Sequence, residues 1–327
     1  MRDVAQSAGV SVMTVSRVLN DPDKVSEEMR LRVAAAVDAV GYLPNRLAGS
    51  LSSNRSNVIG LVLPNLRNSL YAETVGGISQ ALSRNDFHLM IAESGYRLDD
   101  ERRVVEAFLA QRVSGLVLHN TDHAPGVRAL IRRAGVPTVE NGNLCADPID
   151  MVVSYSNVEA SRAMTLHLAR LGYRGIGFVS LLIKDNERSR ERRRGYLAAL
   201  AELGRPRDER FILEMPPGLE SGAEAVVRLM AQAPGLDAVF LAGDVLAIGA
   251  LFECYRRGWS VPGRVALAGF DDMELMRHAV PTLTTIRLPR EAIGTRSAEL
   301  LLDRVQGRGQ GAARVDLQYE IIQRQST

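Results

Sequence analysis

Cysteine is scarce in this sequence. The 327 residues contain two, Cys145 and Cys254, far apart and without neighbours that could share a metal. That scarcity excludes a disulfide-stapled scaffold and a cysteine-based metal centre, and it suits free thiols in a reducing compartment. Long apolar runs are missing as well. None approaches the ~18 residues that a membrane-spanning helix needs, and Met1-Arg2-Asp3-Val4-Ala5-Gln6 lacks the apolar stretch of a secretory signal. These absences predict a cytoplasmic protein with no membrane partner. Nor does charge of one sign dominate: the formal net charge is +2, and residues 1–57 set seven basic side chains against six acidic ones. Any case for nucleic acid must therefore rest on where the arginines sit. Catalytic signatures are also lacking. No Gly-x-Gly-x-x-Gly follows a strand, since Gly175-Ile176-Gly177 falls inside one, and no serine, histidine and aspartate stand at a spacing that argues for a triad. His119 and His123 are four apart but fall in a loop, so no metal, cofactor or enzymatic reaction is expected.

The residues that are present support a multi-unit chain. Apolar residues make up 46% and charged residues 24%, ample for a sizeable core, and the length favours two or three units. The first forty residues read as three short helices. Val4, Ala5 and Ala8 repeat at helical spacing until Gly9 stops the first. Ser11 is placed to cap the second, whose Val15, Val18 and Leu19 form one apolar face. Asp21-Pro22-Asp23 breaks that helix; Ser26-Glu27-Glu28 opens a third, with Val33, Ala36, Val37 and Val40 predicted to face inward and Gly41 to end it. From residue 58 short apolar runs recur: 58–63, 88–93, 115–120, 151–155, 175–180, 237–243 and 265–270. Helical periodicity lies between them, in 71–84, 100–111, 160–171, 190–203 and 245–258. Such alternation predicts parallel sheets covered by helices, and the length predicts two lobes. Ligands of open parallel sheets bind beyond the strands' carboxyl ends. This directs attention to 64–71, Glu140-Asn141, the loop after Ser180, Gly243-Asp244 and Asp271-Asp272. The polar stretch between the two regions, with Leu47 and Leu51 at i, i+4, reads as a hinge.

The segment from Asp3 to Asn20 is helix, tight glycine turn, helix. Its second helix turns Ser11, Thr14, Ser16 and Arg17 away from the apolar stripe. A helix of that width fits the DNA major groove, where an arginine can grip guanine O6 and N7. The same features also fit an ordinary helical hairpin with a solvated arginine. The segment after the third helix favours a DNA reader: Gly41-Tyr42-Leu43-Pro44-Asn45-Arg46-Leu47-Ala48 precedes Leu51. Together with Val10-Ser11 and Thr14-Val15-Ser16-Arg17, this segment closely resembles the LacI/GalR family of bacterial transcription regulators. The resemblance runs over essentially the whole chain.

The resemblance implies an α/β protein with an N-terminal helix-turn-helix domain of three helices (1–44), a hinge (45–57) and a two-lobed, periplasmic-binding-protein-like core (58–327) with parallel sheets. It implies base reading by Val12, Met13 and Arg17; the first two offer only apolar contact, so Arg17 carries hydrogen-bonded readout. Ser11, Thr14, Ser16 and Asn20 fall to backbone positioning, with Asn45 and Arg46 beside the hinge. Leu51 matches the hinge leucine that wedges into the minor groove. Gly49 lies inside that hinge helix, where glycine costs roughly 1 kcal/mol relative to alanine, so the hinge is expected to fold only on DNA. Only Met1 and Arg2 precede the Asp-Val-Ala segment, where the family carries a few more residues.

Within the core the resemblance is to the gluconate-repressor branch, through Tyr96, Asp99-Asp100-Glu101, Asp147-Pro148-Ile149-Asp150-Met151, Ser156-Asn157 and Gly249-Ala250-Leu251-Phe252-Glu253-Cys254. It implies that Arg192 and Asp271 bind the effector, that Leu70 and Tyr71 form an apolar wall, and that Glu140 and Asp244 stand at the site. Glycine at 243 replaces the asparagine of many members. The expected function is a homodimeric repressor of sugar-acid uptake or catabolism genes, binding double-stranded operator DNA under control of a small effector such as gluconate. The chain stops at Gln325-Ser326-Thr327 without the family's tetramerising heptads, hence the expected dimer. The alternatives are the same regulator with another sugar or sugar-acid effector, and a cytoplasmic sugar-binding or sugar-converting α/β protein.

Overall fold

The computed structural model describes residues 1–42, 56–66, 69–309, 311 and 313–327. The side chains of Asn20, Pro22, Ser69 and Asp244 are not among those described. The chain divides into two compact units, Met1–Ser56 and Asn57–Thr327.

In the first unit, α1 (Arg2–Ala8) ends at Gly9, whose φ of 63° is the left-handed conformation that glycine adopts without strain. The Ser11 hydroxyl caps α2 (Val12–Asn20) by accepting a bond of 3.0 Å from the Thr14 amide. The third helix, α3 (Glu27–Val40), stops at Gly41 in the same left-handed conformation. Val4, Ala5, Ala8, Val15, Val18, Val33 and Ala36 form the core of this unit. Val37 is only half-buried and Val40 is exposed, contrary to the predicted inward face. Two short helices offer too little apolar surface to cover the last turn of a fourteen-residue third.

The second unit holds two parallel sheets. The first lobe contains β1 (Val58–Leu63), α4 (Ala72–Ser83), β2 (His88–Glu93), α5 (Leu98–Ala110), β3 (Gly115–Leu118), α6 (Val127–Ala134), β4 (Thr138–Glu140) and β5 (Met151–Ser154). The chain then enters the second lobe with α7 (Asn157–Arg170), β6 (Ile176–Leu181), α8 (Glu187–Glu202), β7 (Ile212–Met215), α9 (Leu219–Gln232), β8 (Ala238–Leu241), α10 (Asp244–Arg256), β9 (Ala266–Ala268) and α11 (Glu274–His278). It returns through β10 (Thr285–Arg287) to α12 (Arg290–Val305) and β11 (Ala313–Asp316), and ends with β12 (Glu320–Ile322).

The first sheet has the order β11-β5-β4-β3-β1-β2 and the second β7-β6-β8-β9. Every ladder in both is parallel, whereas β10 and β12 pair antiparallel. The central strands are apolar and buried on both faces because helices cover both, as expected for parallel sheets. The edge strand β2 departs from that pattern and leaves Met90 and Ile91 exposed. Glycines let the helices approach: a Cβ at Gly195 of α8 would stand 2.1 Å from the Val158 carbonyl oxygen of α7. Among the described residues no helix is long and apolar enough to cross a membrane.

Candidate functional site

Strand order in the second unit sets the position of its cavity. The loops after β1, β3, β4 and β5 in one lobe and after β8 and β9 in the other converge on a cavity between the sheets. Leu70, Tyr71, His119, Asn141 and Tyr155 line it from the first side. Leu181, Arg188, Arg192, Gly243 and Asp271 line it from the second, with Leu288, Arg290 and Ile293 closing it from the returning chain.

Arg192 lies on α8, nearly buried, with its guanidinium 3.6 Å from the centre of the Phe270 ring. Its Nε donates to Asn157 Oδ1 at 2.8 Å, Nη1 to the Ala242 carbonyl at 3.0 Å and Nη2 to the Tyr155 hydroxyl at 3.2 Å. Asp271 Oδ2 stands 3.6 Å from Arg192 Nη1, and Asp271 Oδ1 stands 3.1 Å from Arg290 Nη2. Arg290 also donates to the Asp271 carbonyl. The loop carrying this aspartate is strained, since Asp271 and Asp272 both have positive φ, 85° and 45°. Such conformations cost about 1–3 kcal/mol each and persist only where the surroundings hold them. Asp272 supplies that hold: its buried carboxylate pairs with Arg277, Arg287 and Arg324 at 3.1, 2.8 and 2.6 Å.

Leu70, Tyr71, Arg192 and Asp271 are thus brought to one cavity. Glu140 is not among its lining residues. It ends β4 fully buried, with Oε1 3.0 Å from His123 Nε2 and Oε2 accepting from the Ile149 amide at 2.5 Å. His123 Nδ1 is 2.5 Å from Glu101 Oε1, so one imidazole is clamped between two buried carboxylates. Burial lowers its pKa, but the bonds to Glu101 and Glu140 outweigh that and push it up to about 9. His119 behaves oppositely. Its pKa is held well below 6.5 by burial and by the Arg188 charge, so the ring is neutral; Nδ1 lies 2.8 Å from Asn141 Oδ1. Asp244 opens α10 beside the lining Gly243, but its side chain lies outside the described residues.

Arg188, Arg290 and Tyr155 are lining residues that the sequence reading did not single out, and Asn141 entered it only as part of a strand end. Arg188 carried a usable signal, because it precedes Arg192 by four and so shares its helix face. Burial opposes its charge, and Glu187 together with Tyr71, Tyr96 and Tyr155 more than compensates, raising its pKa. Arg290 had no such signal, since its place depends on how the chain returns between the lobes.

In the first unit, α2 exposes Val12, Met13 and Arg17, while Val15 and Val18 are buried. Met13 is 71% exposed, a cost in contact with water that a partner surface would remove. Ser11 and Thr14 are linked hydroxyl to hydroxyl at 2.8 Å and form the cap; Thr14 and Ser16 are half-buried. Asn20 closes the helix. Asn45, Arg46 and Leu51 lie outside the described residues.

Residues 1–45 match the bacterial regulatory proteins of the lacI family, and residues 165–327 match the periplasmic binding protein-like domain. The chain is 35% identical over 321 residues to the HTH-type transcriptional regulator GntR of Escherichia coli (strain K12), covering 98% of this chain and 96% of that one. A crystal structure of a transcriptional regulator of the same family from Silicibacter pomeroyi superposes with a TM-score of 0.91 at 32% identity, over 99% of this chain and 98% of that one. A CelR–cellobiose complex superposes with a TM-score of 0.74 at 31% identity, over 100% and 99% of the two chains. These relatives are regulators, not enzymes. The chain belongs to the lacI family and is a DNA-binding transcriptional regulator with a periplasmic-binding-protein-like core.

Proposed function

We propose that this regulator represses genes for sugar-acid uptake or catabolism and that its effector is a sugar acid, gluconate being the first candidate. The observation that carries this reading is the charge of the cavity: among the described residues three buried arginines, Arg188, Arg192 and Arg290, line it with one carboxylate, that of Asp271. Such a cavity suits an anion, and Asp271 suits its hydroxyl groups. Leu70 and Tyr71 supply an apolar wall, and Asp244 is assigned to the same site. Glu140 is not, because His123 and the Ile149 amide occupy both its oxygens.

The division proposed is a DNA reader over 1–44, a hinge over 45–57 and an effector and dimerisation domain over 58–327. The protein works in the cytoplasm as a homodimer on a palindromic double-stranded operator. Val12, Met13 and Arg17 meet bases, with Arg17 hydrogen-bonding guanine. Ser11, Thr14, Ser16 and Asn20 meet the backbone together with Asn45 and Arg46, and Leu51 wedges into the minor groove. The effector acts by binding one arrangement of the lobes more tightly than the other.

Fluorescence anisotropy on the upstream DNA of its own gene, with and without gluconate, tests the reading. Sequence-specific, salt-dependent binding that gluconate weakens supports it. Binding that responds only to a neutral sugar discards the sugar acid.

A further inference from the structure

We infer that the effector's carboxylate is received by Arg188 and Asn141, with Arg192, beside Asp271, left to its hydroxyl groups, so that Arg188 sets the preference for an acid over a neutral sugar. This rests on the sugar-acid reading and adds to it the direction in which the ligand lies.

The donors decide it. Each of the three nitrogens of Arg192 already donates, to Asn157, Ala242 and Tyr155, and its flat face rests on Phe270. Two of its five N–H groups remain, but Asp271 Oδ2 stands 3.6 Å from Nη1, where it would repel a second carboxylate. Arg188 is different. Its Nη1 serves the His119 carbonyl at 2.5 Å, Asn120 Oδ1 at 2.9 Å and Glu187 Oε1 at 3.1 Å. Its Nη2 is buried and has no hydrogen-bond partner among the described residues. Asn141 repeats the pattern: Oδ1 is held by His119 Nδ1, while Nδ2 is buried without a partner among the described residues.

Both spare donors are therefore anchored on one residue, His119, through its carbonyl and through its ring. A buried donor left unsatisfied bears its full desolvation penalty, so a ligand that supplies acceptors removes a cost already present. Two donors on side chains that share His119 as a partner suit the two oxygens of a carboxylate. Glycine at 142 admits this arrangement, because a Cβ there would stand 2.2 Å from the His119 oxygen and 2.9 Å from Arg188 Nη1.

Charge points the same way. Asp271 stands with Arg192 and Arg290, where it would repel a carboxylate and accept hydroxyls. Glu187 pairs with Nη1 of Arg188 rather than Nη2 and does not line the cavity. Arg188 sits on α8 of the second lobe, and its acceptors His119 and Asn120 follow β3 of the first. The carboxylate is thus received on a bridge between the lobes.

Titration calorimetry of the full chain with gluconate and with D-glucitol, which has a hydroxymethyl group in place of the carboxylate, tests this. The wild type prefers gluconate. Arg188→Met weakens gluconate by about tenfold to hundredfold, the range for charged hydrogen bonds, and leaves glucitol nearly unchanged. Asn141→Asp, almost isosteric and so a safeguard should Arg188→Met fail to fold, also selectively weakens gluconate. Arg192→Met weakens both ligands and keeps their ratio. An unchanged ratio in Arg188→Met and Asn141→Asp overturns the inference while leaving the sugar-acid reading intact, and so does loss of the ratio in Arg192→Met alone. A wild type that does not distinguish the two ligands overturns both.

Discussion

Replacing His123 by leucine tests how the first lobe is held together. The imidazole joins three elements: it follows β3, Glu101 belongs to α5 and Glu140 ends β4. All three side chains are about 1% exposed or less, so the leucine variant leaves two carboxylates buried without their cation. Breaking a buried ionic cluster in this way costs about 3–5 kcal/mol. The wild type carries a second signature. Its His123 is held at about 9, above the 6.5 of an unfolded chain, so its contribution is complete below pH 6.5 and is lost as the pH climbs through 9. A shift of that size corresponds to about 3 kcal/mol, the same order as the loss expected from the mutation. Urea denaturation followed by far-UV circular dichroism at pH 6, 7.5 and 9 reads both. The wild type should weaken steadily over this range, whereas His123→Leu should be weak throughout and much flatter. A wild-type midpoint that stays level to pH 9, with His123→Leu within about 1 kcal/mol of it, would refute the clamp.

Other perturbations probe other links. Arg17→Ala removes the exposed arginine of α2 and should reduce specific operator affinity by about 1–3 kcal/mol, with little change on unrelated DNA; competition anisotropy checks it, and loss on both DNAs alike would reassign Arg17 to phosphate contact. Asp272→Asn weakens the bonds to Arg277, Arg287 and Arg324 that hold the strained Asp271 loop. It should cost about 2–3 kcal/mol in urea unfolding and weaken effector binding; unchanged calorimetric affinity would mean that the loop holds its shape unaided. Gly195→Ala pushes a methyl group against the Val158 carbonyl. A lower melting temperature, equivalent to about 3 kcal/mol, is expected, and an unshifted melt would show that α7 and α8 separate at little cost.

The architecture was legible where burial is uniform. The central strands of parallel sheets are apolar on both faces, so 58–63 and 238–241 stand out as runs. Segments whose structure depends on distant partners did not stand out. β4 has three residues, and β11 and β12 form only when the returning chain meets β5 and β10. Long α12 was missed as well, although Ile293, Leu301 and Leu302 bury one face; its register is set by α4, against which Gly294 packs so closely that a Cβ would stand 2.2 Å from the Thr74 carbonyl oxygen.

For the cavity, the rule that ligands sit beyond strand ends led to the loops that line it, because sheet topology is encoded in the alternation of elements. The rule cannot supply the direction of each side chain or the state of its donors. Glu140 and Asn141 are consecutive at one strand end, yet the first turns to His123 and the second lines the cavity. Arg188 and Arg192 share a helix face, yet Arg188 Nη2 has no partner among the described residues while each nitrogen of Arg192 has one. Sequence spacing predicts which residues are neighbours. Whether a neighbour retains an open hydrogen bond depends on chain segments nearly seventy residues away, such as the His119 and Asn120 acceptors that Arg188 meets at |i−j| of 69 and 68. Ligand preference resides in those open bonds, which is why it was the least legible property of the chain.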